Sequence, residues 1–369
     1  MAAEQWVEQV VQRAIMLQQV PAPTFAESAR AALVHRLFLK EGLTDVQIDA
    51  VGNVLARLPG EGRARPLIIS AHLDTVFPAG TDLTVQRLDD QVCGPGIGDN
   101  SLGVAALFAL LWELKAQQTP LPGDIWLVGN VCEEGLGDLL GMKAIVKRFG
   151  REITAYLILE GMALGQIYHR GLGVRRYRIS TKTVGGHSWV DHGRPSAIHE
   201  LARIIVQLND LPLPVQPRTT LNVGVVSGGT SVNTIASQAI LELDTRSEGR
   251  QELSELSRQV EQLIVQAQKS GAAHVTLEVT GERHAGEIPV THPLVELAVK
   301  CVQMQGVAAR LNIGSTDANV PLSHGYPAVT IGLTTGAGAH TVGEFIQVQP
   351  LTLGLRQLFC LVENVFRLP

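Results

Sequence analysis

A histidine and two carboxylates lie close together in one short part of the chain. His72 follows the apolar run Leu67–Ser70, and Asp74 comes two residues later. Asp99 ends a glycine-dense turn further along. Residues i and i+2 of an extended segment share a face, so His72 and Asp74 can point the same way. Imidazole and carboxylate groups in this combination are typical metal ligands, so the stretch predicts a metal site.

Three further candidate ligands come later in the chain. Glu134 follows a second apolar run, Glu160 follows a third, and His340 lies near the C-terminus. Carboxylates at strand ends also cap helices, which is the alternative interpretation of Asp99 and Glu134. Glu133 places a second negative charge beside Glu134, which is unfavourable unless a cation or solvent stabilises the pair. A metal bound by one glutamate and a basic role for the other would explain the pair.

The charges of these side chains favour two metals. The three carboxylates supply three negative charges, the two neutral histidines supply none, and two divalent cations carry four positive charges. A bridging hydroxide would bring the site to neutrality. Nitrogen and oxygen ligands without thiolate suit zinc, and cobalt or manganese could also bind. One carboxylate would then bridge two metals that lie roughly 3.5–4 Å apart.

Composition argues against several other classes of protein. The chain has 369 residues, a net charge of −5 and no basic stripe, so nucleic acid is not an expected partner. No apolar run approaches the length of a membrane span, and the N-terminus does not resemble a signal peptide. Four scattered cysteines predict free thiols in a reducing cytoplasm, with a catalytic thiol not favoured; they are Cys93, Cys132, Cys301 and Cys360.

The order of the predicted elements indicates two domains. In residues 1–171 helix-like and strand-like runs alternate, and the candidate ligands follow strands, where open α/β sheets bind their ligands. In residues 172–285 the order is strand, helix, two strands, helix and strand, which is typical of a small α+β module. The first pattern returns in residues 286–369. The sequence therefore predicts an α/β domain with a mostly parallel sheet flanked by helices, and a second domain inserted in it.

Short motifs with these residue types occur along nearly the whole chain. They are His72-Leu-Asp74-Thr-Val, Gly94-Pro-Gly-Ile-Gly-Asp99-Asn-Ser, Glu133-Glu134-Gly, Glu160-Gly, Gly186-His187-Ser, Asp244-Thr-Arg246, Gly314-Ser-Thr-Asp317-Ala and His340-Thr-x-x-Glu344. Together, though not singly, these motifs resemble the M20-type metallohydrolases. That group contains the glutamate carboxypeptidase, peptidase T, the acetylornithine and succinyl-diaminopimelate deacylases, and aminoacylase.

The resemblance implies a role for each of the five candidate ligands. One metal would be held by His72 and Glu160. The other would be held by Glu134 and His340, and Asp99 would bridge the two. It also implies that the inserted domain is a lid and dimerisation domain.

The resemblance further implies which groups carry out the chemistry. Asp74 would orient His72 from behind. Glu133 would be the general base that takes a proton from the metal-bridging water and delivers it to the leaving amine. His187 would donate to the oxyanion in the active site of the neighbouring subunit, which implies a homodimer and a closing motion. The alternative for His187 is a surface histidine in a turn.

Three residues of the inserted domain are candidates for substrate binding. Asn233 matches a family position that helps to bind substrate, although an ordinary turn asparagine would look the same. Arg246 could contact substrate or form an ion pair with Asp244. Arg283 could bind a substrate carboxylate, on a looser match.

The predicted activity is that of a di-zinc hydrolase which cleaves an amide bond in a small peptide or an N-acyl amino acid. Glu160 favours a carboxypeptidase-like or dipeptidase-like enzyme, because the tripeptidase branch usually has aspartate there. An aminotripeptidase of the peptidase T type and an N-deacylase of an amino-acid pathway remain alternatives. A non-catalytic metal-binding protein would be expected to lack a ligand or the base, and this chain has all of them.

Overall fold

Buried apolar side chains form two separate clusters, and each cluster is the core of one unit of the chain. The computed structural model describes residues 3–118 and 120–369. The first unit contains the chain up to Gly171 together with Gly286–Pro369, and the second unit is Leu172–Ala285. The second unit is therefore an insertion in the sequence of the first.

Parallel strands form the centre of the first unit's main sheet. Four adjacent strands run parallel in the order Ile125–Asn130, Leu67–His72, Ala155–Glu160 and Ala328–Gly332. They are long apolar runs and almost wholly buried, as expected where helices cover a parallel sheet. The flanking strands of this sheet are Thr44–Ile48, Val54–Leu58, Gln166–Gly171, Gly286–Glu287 and Arg310–Gly314. The predicted fold class, α/β with a mostly parallel sheet, is confirmed.

Helices surround this sheet and bury their apolar faces against it. The α-helices described in the first unit are Glu4–Gln18, Ser28–Lys40, Leu102–Gln117, Leu140–Phe149, Pro293–Gln303, Asn319–Ser323 and Leu351–Val365. The expectation that no apolar run approaches the length of a membrane span is wrong for one helical segment of the described residues, Ile97–Gln117, which is long and apolar enough to cross a membrane by length and composition. Its most apolar window is 89% buried inside the protein, which is the environment of a core helix.

A second, smaller sheet of the first unit consists of short strands that the sequence pattern does not predict. It contains Gly336–Ala337, Phe345–Gln347, Gln91–Cys93 and Gln86–Leu88 in that order. Strands of two or three residues are too short to show a period of two. This sheet fixes both ends of the loop that contains His340.

The second unit is an antiparallel sheet with helices packed on it. The strands run in the order Thr219–Gly228, Gln238–Ser247, Gly173–Lys182 and His274–Arg283. Burial alternates along the central strands, and the helices Ala197–Asn209 and Arg250–Lys269 contribute to the core on the buried face. A separate two-stranded ribbon joins Gly186–His187 to Thr234–Ile235.

Candidate metal centre

The five predicted metal ligands lie together at one edge of the central sheet in the first unit. His72 and Glu160 are the last residues of two adjacent parallel strands. Glu134 lies four residues beyond the end of the neighbouring strand. Asp99 lies just before the core helix, and His340 lies in the loop held by the smaller sheet. Because the carboxyl ends of parallel strands meet at one edge, residues far apart in sequence converge there.

Asp99 presents one carboxylate oxygen to each histidine. His72 Nε2 lies 3.0 Å from Asp99 Oδ1, and His340 Nε2 lies 3.2 Å from Asp99 Oδ2. Glu160 Oε2 is 3.8 Å from His72 Nε2. Glu134 Oε1 is 3.1 Å from His340 Nε2. The ligand atoms thus form two groups that share Asp99, which is the arrangement that a bridged pair of metals requires.

Burial in a crowded acidic site changes the proton affinity of these groups. Burial, together with the charge of Asp99, raises the pKa of Glu134 to about 8 and the pKa of Glu160 well above its ordinary value. Burial would also raise the pKa of Asp99, but hydrogen bonds with the two histidines outweigh it and hold that pKa below its usual range. The acids repel one another, and a cation between them would relieve the repulsion.

The donor set fits divalent metals. His72, Asp99 and Glu134 offer ligand atoms that all lie within 4.8 Å of one another. Imidazole nitrogens and carboxylate oxygens are ligands for divalent transition metals. His340 has a φ of 65°, a left-handed backbone conformation that is uncommon for residues other than glycine. Such strain persists only where the surrounding structure fixes it, and it concentrates at functional sites.

Asp74 holds the backbone of the Glu133–Glu134 pair. Its Oδ1 accepts the Glu133 N–H and its Oδ2 accepts the Glu134 N–H, both at 2.9 Å. Thr24 Oγ1 donates to the same Oδ2 at 2.9 Å. His72 Nδ1 lies 3.1 Å from the main-chain oxygen of Asp74 and 3.5 Å from its carboxylate. With Nδ1 donating to that oxygen, the Nε2 lone pair of His72 is free to bind metal.

Glu344 supports the loop that carries Asp99. Its Oε2 accepts the Gly96 N–H at 3.0 Å, and its Oε1 accepts the N–H groups of Gly98 and Asp99 at 2.7 and 2.8 Å. Glu344 is fully buried, and burial raises its pKa to about 7. The sequence motif that begins at His340 contains Glu344 but indicates no role for it. In the sequence, the presence of Glu344 in that motif is what points to a functional role.

Asp317 is a second buried acid near the centre that the sequence motif did not assign. It is fully buried, and Asn130 Nδ2 donates to its Oδ2 at 2.7 Å. Burial, with the nearby charge of Glu133, raises the pKa of Asp317 to about 7. Burial and the charge of Glu133 therefore disfavour ionisation of the Asp317 carboxyl group.

Cys132 lies directly before Glu133 but is not suited to nucleophilic catalysis. Its side chain is buried, and burial, with the charge of Glu27, raises its pKa to about 12. The thiolate is the reactive form of cysteine, so a protonated thiol in this position is unreactive.

His187 and Asn233 lie on neighbouring segments of the second unit. Gly186–His187 pairs with Thr234–Ile235, and the Ser188 N–H donates to the main-chain oxygen of Asn233 at 3.0 Å. Both side chains are exposed. The structure therefore brings two of the predicted functional residues together, as sequence spacing alone does not.

The surroundings of His187 define which ring nitrogen carries a proton. Its Nδ1 accepts the N–H groups of Trp189 and Val190 at 3.2 and 3.3 Å. A neutral imidazole that accepts at Nδ1 carries its proton on Nε2. The exposed edge of the ring therefore presents an N–H donor.

The two candidate arginines of the second unit have different surroundings. Arg246 Nε donates to Asp244 at 2.7 Å, and Arg176 Nε donates to the other oxygen of that carboxylate at 3.0 Å. The ion pair that the sequence left open for Arg246 is thus present. Arg283 is the last residue of the edge strand His274–Arg283, and its side chain is buried.

The fold and this centre define a metal-dependent peptide hydrolase. Residues 68–364 match the family model described as Peptidase family M20/M25/M40. The chain therefore belongs to peptidase family M20/M25/M40.

Individual similar proteins cover nearly the whole chain. The chain is 25% identical to the uncharacterized protein YqjE of Bacillus subtilis over an alignment of 382 residues, which covers 97% of this chain and 98% of YqjE. Its fold is similar to that of a tripeptidase from Staphylococcus aureus, with a TM-score of 0.83, 23% identity and coverage of 98% and 99% of the two chains. It is also similar to YXEP of Bacillus subtilis, a dinuclear metal-binding peptidase of the M20 family. That comparison has a TM-score of 0.70, 17% identity and coverage of 99% and 100%.

Proposed function

We propose that this protein is a di-zinc amidohydrolase that cleaves a small peptide or an N-acyl amino acid. The observation that carries the proposal is Asp99, whose two oxygens face His72 and His340 separately. Glu160 would complete the first metal position and Glu134 the second. The nitrogen and oxygen donors suit zinc, and cobalt or manganese could replace it. The dinuclear peptidase YXEP, which has the same fold, supports two metals.

The chain's own residues provide the acid–base chemistry. Bound divalent metals would lower the pKa of a water towards ~7 and polarise the amide carbonyl. Glu133 takes a proton from the attacking water, and the same carboxyl then protonates the leaving amine. Asp74 holds the Glu133 amide and so limits the positions of the base. His187 donates its Nε2–H to the oxyanion that develops in the active site of the neighbouring subunit.

The proposal includes a preferred class of substrate. Glu160 favours carboxypeptidase-like or dipeptidase-like cleavage, whereas the similar fold of a tripeptidase supports the aminotripeptidase alternative. An N-deacylase acts on the same bond type and is the third candidate. Asn233 and Arg246 are proposed to bind substrate, since Asn233 is exposed and the Arg246 side chain is 41% exposed. Arg283 is kept as a candidate on the looser sequence match.

A substrate panel with end-group analysis tests the proposal. The zinc-loaded protein is incubated with dipeptides, tripeptides, longer peptides, and N-acetyl and N-succinyl amino acids, and mass spectrometry identifies the new termini. Hydrolysis that stops with a chelator and returns with zinc is expected. A protein that holds two metals per chain and cleaves no member of the panel would support the non-catalytic alternative instead.

Metal binding is expected to release protons at neutral pH. Burial raises the pKa of Glu134 to about 8, and the hydrogen bond with Asp99 raises the pKa of His340 to about 9. At pH 7 both groups bind a proton in the metal-free protein, and a metal must displace those protons. Metal affinity should therefore increase as the pH rises through 8 and 9. Calorimetric zinc titrations in buffers of different ionisation enthalpy measure the release; zinc uptake without proton release at pH 7 would contradict this assignment.

Replacing His187 with alanine is expected to lower kcat by roughly 10²–10³-fold, the usual effect of removing one oxyanion donor. Metal content and thermal stability should be unchanged, because the side chain is exposed and its Nδ1 accepts from two nearby backbone amides. His192→Ala, which removes another exposed histidine of the same loop, is the matched control. Equal kcat for the two variants would show that His187 donates nothing to the reaction.

We also propose a cytoplasmic homodimer. The edge strand Thr219–Gly228 exposes Val225 and Val226 by 56% and 55%, and an exposed apolar edge strand is a ready surface for self-association. The cysteines are free thiols, which suits a reducing compartment. Light scattering after size exclusion should give twice the 39.6 kDa mass of one chain. A mass of one chain would reject the dimer.

A further inference from the structure

Side chains from three distant segments hold residues 131–134 in place. This segment lies outside helices and strands, yet each of its four backbone N–H groups donates to a side-chain oxygen. The acceptors are Asn53 Oδ1 for the first N–H, Glu27 Oε1 for the second, and the two oxygens of Asp74 for the third and fourth. All four distances lie between 2.9 and 3.0 Å. Every residue of the loop that ends in Glu133 and Glu134 thus has its backbone N–H fixed by a side-chain acceptor.

Glu27 fixes the residue directly before Glu133. Its Oε1 accepts the Cys132 N–H at 3.0 Å and the Phe25 N–H at 3.1 Å. Glu27 is 6% exposed and Cys132 is 3% exposed, so water has little access to replace this acceptor. Cys132 has a φ of 58°, a left-handed conformation that a non-glycine residue keeps only where its surroundings fix it. The peptide group of Cys132 sets the direction in which the chain enters Glu133.

Neighbours of Glu27 hold the other ligand-bearing loop. Thr24 Oγ1 donates to Asp74, and the buried Arg30 donates from one terminal nitrogen to the main-chain oxygen of Leu73 at 2.8 Å. Residues 24–30 therefore contact both parts of the structure that hold Glu133. Glu27 accepts from the loop that precedes Glu133, and Thr24 donates to Asp74, whose carboxylate accepts the Glu133 N–H. This segment precedes the residues 68–364 that match the family model.

We propose that Glu27 is a positioning residue for Glu133, acting through the Cys132 amide. The inference rests on the proposed function, in which Glu133 is the general base. Asp74 holds the amides of both Glu133 and Glu134, and Glu27 separately holds the Cys132 peptide that precedes them. Loss of the Glu27 acceptor should therefore release the chain on the N-terminal side of Glu133 and shift its carboxylate relative to the attacking water, while Glu134, one residue farther from Cys132, keeps its position as a metal ligand.

Two substitutions of Glu27 distinguish the loss of its hydrogen-bond acceptor from the loss of its negative charge. Glu27→Ala removes the oxygen, whereas Glu27→Gln keeps an amide oxygen that can accept the same N–H groups. Glu27→Ala should lower kcat by roughly 10–100-fold, since small displacements of a catalytic group have effects of this size. KM should change little and metal content should be unchanged. Glu27→Gln should restore most of kcat.

Hydrogen–deuterium exchange provides a readout that does not depend on turnover. In the metal-free protein, peptides that cover residues 131–134 should exchange faster in Glu27→Ala than in the unmodified protein, and Glu27→Gln should restore protection. A Glu27→Ala protein with normal protection and normal kcat would overturn the proposal. A loss of kcat in Glu27→Gln as large as that in Glu27→Ala would also overturn it, because the acceptor would then not be the cause.

Two further variants make the outcome specific. If Glu27→Ala does not fold, Glu27→Asp shortens the side chain by one methylene and should also lower kcat; unchanged kcat would overturn the proposal. Glu133→Gln is measured alongside. Full activity in Glu27→Ala with none in Glu133→Gln refutes only the role of Glu27, whereas full activity in Glu133→Gln refutes the proposed function.

Discussion

Replacing Glu133 with glutamine is expected to abolish nearly all amide hydrolysis while both metals stay bound. Glutamine has almost the same shape as glutamate, but it cannot take a proton from water. General acid–base groups contribute about 10²–10⁴-fold to a rate, so kcat should fall by an amount in this range. The backbone N–H of residue 133 would still donate to Asp74, so Glu134 should keep its place. Steady-state kinetics and elemental analysis of bound metal are the two measurements.

An exposed glutamate of the first unit provides the matched control. Glu152 is a surface residue, and Glu152→Gln makes the same chemical change away from the centre. Its kcat should equal that of the unmodified protein. Normal turnover in Glu133→Gln would reject Glu133 as the base. Loss of a metal from Glu133→Gln would instead identify Glu133 as a ligand.

Asp99→Asn is expected to cause the second large loss, through the metals themselves. The two oxygens of Asp99 face His72 and His340, so replacing one oxygen with an amide nitrogen removes a ligand from one metal position. The loss in metal affinity should exceed the loss of about 10–100-fold that is typical when a residue that orients a metal ligand is replaced. We expect one metal or fewer per chain by elemental analysis, with turnover almost absent.

Asp89→Asn is the control for this substitution. Asp89 is exposed, and asparagine tolerates its positive φ of 40°. Metal content and turnover should not change. If Asp99→Asn bound two zinc ions as tightly as the unmodified protein, Asp99 would not be the bridge and the two-metal arrangement would need another carboxylate.

Patterns along the sequence were sufficient to predict the buried strands at the centre of the fold. Apolar runs precede both His72 and Glu160 in the sequence, and the structure has the buried strands Leu67–His72 and Ala155–Glu160 there. Strands buried on both faces read as continuous apolar runs, which is a local signal. The confirmed fold class follows from this signal and from the alternation of strands with amphipathic helices.

Local patterns do not describe loops whose conformation depends on distant contacts. The alternating runs on either side of Gly52-Asn53 predict a hairpin, and strands Thr44–Ile48 and Val54–Leu58 do pair antiparallel. The connection, however, is a five-residue loop, residues 49–53, and not a two-residue turn. Asp49 Oδ1 accepts three successive N–H groups of that loop. Asn53 is buried because its side chain reaches the backbone of Val131, 78 residues away. No local turn rule encodes that contact.

The sequence by itself determined which residue types are available as ligands, because His72, Asp99, Glu134, Glu160 and His340 stand in short recognisable motifs. Only the tertiary structure decided how their atoms are paired. It divides the two oxygens of one carboxylate between two histidines, and it places buried acceptors under the loops that carry the acids. Glu27 lies 105 residues from Cys132, and Glu344 lies 245 residues from Asp99, whose N–H groups they accept. Spacing along a chain describes neighbours, whereas these contacts depend on the packing of separate segments against one sheet edge.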